Sequence, residues 1–168
     1  MRRLTPDEFG RLFESFQSSA WRLETLPFYD NARDLAAYAA WQRGEGLPPD
    51  DDALAWDAAI RAAHGRGARF ERVRLVVEPT GYVLWELNSY RPGEDVRVLE
   101  VGPKHPSIGH DAWLFDNQLA VLMEYDQGGR FIAGHATRSV ANLRMARAEL
   151  MAASTPLADY LASLAVRS

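Results

Sequence analysis

A single α/β (or α+β) domain, with helices packed on a central mixed sheet of four to six strands, is the fold this sequence predicts. Three observations predict it. Amphipathic and alanine-rich helical segments dominate the first third of the chain, alternating β-branched runs fill the centre, and a strongly helical tail follows. The 168 residues suffice to bury one core without staples, so one domain over 1–168 is expected.

The elements follow in order. Thr5-Pro6-Asp7-Glu8 combines a capping hydroxyl, a first-turn proline and acids at the positive end of a helix dipole. Phe9, Leu12, Phe13 and Phe16 then share one helical face. Residues 20–26 alternate up to Pro27, as a short strand does. A second helix runs from Asn31 to Arg43, stopped by Gly44 and Gly46. Asp50-Asp51-Asp52 opens a third through Ile60 towards His64; the triplet reads as dipole and capping chemistry, and secondarily as a metal or partner site. Phe70 to Val77 is a strand carrying Arg72 and Arg74 on one face. Tyr82 to Tyr90 is compatible with a strand, and a helix is favoured. Val96, Val98 and Val101 suggest another strand. Trp113 to Phe115, a turn at 116–118 and Leu119 to Tyr125 read as a hairpin. Arg130 to Ala133 adds a short strand, a helix covers Ser139 to Ala153, and a last one carries Leu157, Tyr160, Leu161 and Leu164.

Composition removes several function classes. There is no cysteine, so disulfides, a thiol nucleophile and thiolate zinc sites are excluded. Neither a signal-like apolar segment after Met1 nor a run of membrane-spanning length is present, so a cytoplasmic, soluble protein away from the membrane is expected. A net charge of −4 and the lack of a basic helical stripe argue against direct nucleic-acid binding. The dinucleotide, phosphate-loop, His-Glu-x-x-His and Gly-x-Ser-x-Gly motifs are missing, and neither a metal nor a cofactor is expected.

Two constellations remain. Arg72, Arg74 and Glu78 stand on or at the end of one strand, and Glu94, Asp95 and Arg97 on or near the next. They form either an ion-pair lattice on a solvent-facing sheet surface or an arginine clamp for a phosphate or carboxylate. On the clamp reading, alanine at Arg72 or Arg74 weakens a ligand without unfolding the protein. His110, Asp111 and Asp116 flank an apolar strand and are candidate acid-base groups, with turn and capping roles as the alternative for the aspartates. Their order around a strand and hairpin resembles that of phospholipase-D-like enzymes, without the lysine or a second motif copy of that family and with a histidine-to-aspartate spacing one residue shorter. His64 and His105 read as exposed bystanders, and His135 as a base near Arg138. Trp21, Trp41, Trp56, Trp85 and Trp113 read as core residues, or, for Trp21, Tyr82, Trp85 and Trp113, as the walls of a small-molecule pocket.

Several segments together, Phe9 to Phe16 with Ala20 to Glu24, Glu71 to Val76 with Tyr82, Gly93 to Arg97 and Asp111 to Asp116, resemble a family of actinobacterial proteins of unknown function. The resemblance marks Arg22, Glu24, Arg72, Arg74, Glu78, Tyr82, Glu94, Asp95, Arg97, Asp111, Trp113 and Asp116 as its polar and aromatic motif positions. It implies a setting beside helix-turn-helix regulators and other small regulatory proteins. The leading expectation is a non-catalytic regulatory or interaction module that binds a small anionic ligand or a protein partner. Alternatives are an enzyme acting on a phosphate ester or nucleotide and a small-molecule-binding protein of a biosynthetic pathway. A homodimer is compatible with the apolar first and last helices.

Overall fold

The computed structural model describes residues 1–46, 48–102 and 110–167. Its elements are β1 (Arg2–Arg3), α1 (Pro6–Ser15), β2 (Ser19–Glu24), α2 (Ala32–Gln42), α3 (Asp51–Gly65), β3 (Arg69–Val76), α4 (Gly81–Ser89), β4 (Asp95–Glu100), β5 (Ala112–Phe115), β6 (Leu119–Tyr125), β7 (Phe131–Thr137), α5 (Ala141–Ala153), β8 (Thr155–Pro156) and α6 (Leu157–Arg167). They build one mixed sheet of order β1-β7-β6-β5-β2-β3-β4-β8 around six helices. The α/β class is as the sequence predicts. The sheet has eight strands rather than four to six because β1 and β8 are two-residue pairings at its edges, too short to leave an alternating pattern. Edge strands this short present few open backbone groups to another chain.

Strands β2, β3 and β4 are parallel, and β5, β6 and β7 continue antiparallel from β2. The helix starts obey the local chemistry read from the sequence. Thr5 and Glu8 form a reciprocal capping box, and Asn31, Asp50 and Thr80 cap the next three helices through their side chains. The favoured helix at 82–90 is present as α4. The short strand expected at 130–133 extends to Thr137, since its small and polar residues still pair with β6.

Alternation splits the strand residues between two faces. On the first face, Ala20, Phe70, Trp113, Phe115 and Val121 meet Phe13 and Phe16 at the end of α1 and Ile60 and Ala63 of α3. Farther along that face, Val76 and Val98 pack with Tyr82, Val83 and Leu87 of α4 and Tyr160 of α6. On the second face, Trp21, Leu23, Val73, Leu75 and Leu114 are covered by Val140, Leu143, Leu150 and Met151 at and along α5. Of the tryptophans, Trp21, Trp85 and Trp113 are buried as expected, but Trp41 on α2 is 44% exposed. Trp21 pairs in register with Leu114 while Arg22 pairs with Trp113, so Trp21 and Trp113 point to opposite faces. They cannot wall one pocket.

The β5–β6 hairpin turns through Asp116 (φ 52°) and Asn117 (φ 57°). The Gln118 amide donates to the Phe115 carbonyl at 2.9 Å, the pattern of a tight turn with two left-handed residues. Asp and Asn tolerate that region better than other residues with a Cβ.

Candidate functional site

Between the two packed patches of the first face lies a buried network of charge. It is built from the strand alternation itself. Register places Arg22 beside Arg72 and Glu24 beside Arg74 on adjacent parallel strands, so Glu24 lies diagonal to Arg72. Arg72 binds Glu24 through Nη1 and Glu94 through Nη2, the latter at 2.9 Å. Arg22 donates from Nη2 to Asp111 Oδ2 at 2.8 Å and to the Tyr125 hydroxyl at 3.0 Å, with Glu24 3.6 Å from its Nε. Arg74 donates from Nε to Glu86 Oε2 at 2.8 Å and from Nη1 to the Leu75 carbonyl at 3.2 Å. Tyr90 donates to Glu24 Oε2 at 2.6 Å.

Burial is nearly complete, with the Arg74 side chain 0% and the Glu94 side chain 2% exposed. The ion-pair lattice therefore exists, but inside the protein and not on a solvent-facing surface. Its three guanidinium groups face the four carboxylates of Glu24, Glu86, Glu94 and Asp111. Among the described residues, Arg22 Nη1, Arg72 Nε and Arg74 Nη2 have no hydrogen-bond partner. Each guanidinium also lies against an aromatic ring: Arg22 and Arg72 over Trp113 at 5.8 and 5.7 Å, Arg72 over Tyr90 at 4.8 Å, and Arg74 over Tyr29 at 5.4 Å. Ring faces are favourable ground for a cation that has used its carboxylate partners.

Asp111 is the most heavily engaged member. It accepts from Arg22, from the Tyr29 hydroxyl at 2.5 Å, and from both the amide and the hydroxyl of Thr25, at 2.8 and 2.6 Å. Tyr29 thereby fastens the segment after β2 over the network. That segment is held again at its far side, where the Asp30 amide donates to the Gly129 carbonyl and Arg130 pairs with Asp30 at 3.0 Å.

Asp116 serves a different purpose at the opposite end of β5. Its carboxylate accepts from the amides of Gln17, Ser18 and Ser19 and from the Ser18 hydroxyl. Burial opposes its ionisation, but these backbone donors outweigh that and hold the carboxyl below its usual range. It tethers the hairpin tip to the start of β2. Asp116→Ala is expected to cost about 1–3 kcal/mol, the scale of stranding amide donors. Urea titration read by tryptophan fluorescence measures it, and an unchanged midpoint would count against the tether.

The candidate residues therefore divide. Arg22, Glu24, Arg72, Arg74, Glu94, Asp111 and Trp113 come together, with Tyr82 beside them receiving a hydrogen bond from the Tyr29 amide at 3.3 Å. Glu78 lies exposed beyond β3, and Asp95 is exposed at the start of β4. Arg97 belongs to the second face and donates to the Ser154 hydroxyl and carbonyl. His110 is exposed next to Asp111, and the strand of β5 separates Asp111 from Asp116 by roughly 16 Å at ordinary strand rise, with His110 one residue farther away. His64 is exposed, His105 lies outside the described residues, and His135 meets Glu124 across β6 and β7 at 2.7 Å, not Arg138. Among the described residues no three His, Asp or Glu side chains are placed to share a metal ion.

Tyr29, Glu86, Tyr90 and Tyr125 are the members that sequence reasoning missed. Glu86 left a usable signal, a lone carboxylate within Tyr82-Val83-Leu84-Trp85-Glu86-Leu87, flanked by apolar residues on both sides. The three tyrosines reach the network from outside its strand pattern and left none.

Two carboxylates are displaced in opposite directions. Burial raises Glu24, but attraction to Arg72, Arg22 and Arg74 prevails and brings it down to about 2. For Glu86 burial prevails over Arg74, helped by repulsion from Glu24, and lifts it to about 7. A depressed carboxyl stabilises the fold above its unfolded value and loses that contribution as pH falls, here from about 4.5 towards 2. A raised carboxyl does the reverse: its contribution is present below about 4.5 and is lost as pH rises to about 7. Unfolding free energy is therefore expected to decline between those two pH values in the wild type and to decline less in Glu86→Gln. Parallel pH profiles for the two proteins in urea would contradict the assignment.

Fold and network together define a mixed α/β domain organised on a buried arginine-carboxylate core. The chain belongs to the family described as a domain of unknown function, DUF6879, whose model matches residues 7–162. A search of curated proteins finds no significant match. No helix among the described residues is long and apolar enough to cross a membrane.

Proposed function

We propose that the domain is a non-catalytic regulatory or interaction module of the cytoplasm, whose ligand is another protein. One observation carries this reading: the groups best suited to chemistry are consumed in holding the fold. Asp111 accepts four hydrogen bonds, Asp116 is fixed by backbone donors at the other end of β5, and each clustered arginine is tied to carboxylate. A phosphate-ester enzyme needs His110, Asp111 and Asp116 around one reacting atom, and the length of β5 keeps them apart. A small anion needs net positive charge, whereas three guanidinium groups here meet four carboxylates. The resemblance to actinobacterial proteins encoded beside helix-turn-helix regulators supports a small regulatory protein or such a regulator as the partner.

Native mass spectrometry of the protein isolated from its own cells, before and after mild activation, tests the reading. A retained protein at defined stoichiometry is expected. A retained nucleotide or metabolite with no protein would overturn it.

A further inference from the structure

We infer that the aromatic corner of Phe28, Tyr38, Trp41 and Tyr82, with Asp34 beside it, receives an arginine side chain of the partner protein; the inference rests on the interaction-module reading and supplies its contact. Asp34, Tyr38 and Trp41 recur at helical spacing and share one face of α2. Tyr38 stacks on Trp41 at 6.1 Å and meets Tyr82 of α4 at 5.7 Å with the rings 83° apart. Phe28, from the segment that Tyr29 fastens over the network, also lies against Tyr82, at 4.8 Å. Gly81 lets α4 begin directly against the Tyr38 hydroxyl, where a Cβ would come within 2.8 Å, and Gln42 donates to that hydroxyl at 3.1 Å. The corner is thereby fixed in shape. Phe28 and Trp41 remain 37% and 44% exposed, so ring surface stays open to a ligand.

The charge beside these rings is incompletely answered. Arg33 Nε is 3.8 Å from Asp34, while its nearer partners are Asp50 at 3.0 Å and Asp52 at 3.1 Å. The Asp34 carboxylate accepts no hydrogen bond from a described residue. Burial raises this carboxyl above its usual range; Arg33 opposes the rise, and Asp50 and Glu24 add to it. An incoming cation offsets that cost. Burial first, then Glu86 and Asp34, hold the Tyr82 hydroxyl high, so the Asp34 charge reaches the rings as well. The surroundings are acidic: Asp30, Asp34, Asp50, Asp51 and Asp52 stand around the starts of α2 and α3, with Arg33 and Arg130 as their counter-charges. At the far end of α2, Arg43 is answered by Glu45. A planar guanidinium stacks on a ring while it pairs with a carboxylate, a combination that a lysine ammonium makes less well. Arg72 has the same surroundings inside the fold, with the faces of Tyr90 and Trp113 and the carboxylates of Glu24 and Glu94.

The test uses the full chain and a labelled Gly-Ser peptide bearing spaced arginines, with affinity read by fluorescence anisotropy and location by the indole N–H signals of the tryptophans in NMR. Trp41→Ala identifies the Trp41 signal by removing it. Saturable binding that moves this signal is expected, with Asp34→Asn and Trp41→Ala each weakening it about tenfold. A lysine version is expected to bind about threefold more weakly, and a citrulline version, which keeps the planar shape without the charge, not at all. Neither Asp34 nor Trp41 is buried, so unchanged thermal melting shows that the variants are folded. The inference is overturned if the Trp41 signal does not move, if the lysine or citrulline peptide binds as well as the arginine one, or if both variants bind like the wild type. Equal movement of the signal by free spermidine would point to a small-amine site and overturn it too. Native mass spectrometry separates the two readings: a partner retained equally by the wild type and by Trp41→Ala removes the aromatic corner and leaves the interaction module standing.

Discussion

Replacing Arg72 by methionine is expected to lower the unfolding free energy by about 3–5 kcal/mol, the scale of breaking a buried ion pair from one side. The guanidinium binds Glu24 and Glu94, both almost wholly buried, and lies over Tyr90 and Trp113. Without it two carboxylates face a low-dielectric interior with less compensation, and they must take up protons or draw in water. This differs from the sequence-based expectation that arginine removal would spare the fold. Urea unfolding at neutral pH checks it, and a loss below about 1 kcal/mol would mean that the network contributes little. The paired substitution Arg74→Met with Glu86→Leu should behave differently. It removes both charges of one pair and refills the space with apolar atoms, so its cost is expected to be small or even negative. Far greater loss from the single change than from the double change is the signature of a buried, mutually compensating network.

Phe70→Ala is expected to cost a similar amount, about 3–5 kcal/mol. Phe70 is fully buried on β3 and touches the rings of Phe13, Phe16, Trp56 and Trp113, with centroid separations of 4.8–6.3 Å. Its removal strands four rings drawn from α1, the segment after it, α3 and β5, and backbone relaxation on one element cannot close the gap. The denaturation midpoint should fall with the slope unchanged, since the surface exposed on unfolding stays nearly the same. A midpoint within error of the wild type would show that the aromatic cluster repacks around the loss. Because the aromatic cluster and the charge network share the first face through Trp113, Phe70→Ala and Arg72→Met should combine non-additively.

The local chemistry of the chain determined much of this architecture by itself. Capping groups at Thr5, Asn31 and Asp50 start helices whatever surrounds them, because each satisfies amides within its own first turn. Alternation in β2 and β3 placed Arg22, Glu24, Arg72 and Arg74 on one side of their strands, and strand period alone guarantees that. The hairpin around Asp116 and Asn117 is equally local, resting on residues that accept positive φ.

What only tertiary structure decided is which side of the strands becomes interior, and who supplies the partners. Charged residues at alternating positions read naturally as a wet face, because burying an arginine is costly unless carboxylates meet it. Here they do, and one comes from α4, whose Glu86 is near Arg74 only because that helix folds back over the first face. Tyr29, Tyr90 and Tyr125 arrive from a loop, a helix end and a strand that nothing in the local pattern directs towards Arg22, Arg72 or Arg74. Glu94 joins the network while its neighbour Asp95 stays exposed, and Arg97 turns to Ser154 on the second face. The period of a strand fixes how side chains divide between two faces. Long-range packing alone fixes which of those faces is sealed from water, and that choice made a run of charges the interior of this protein.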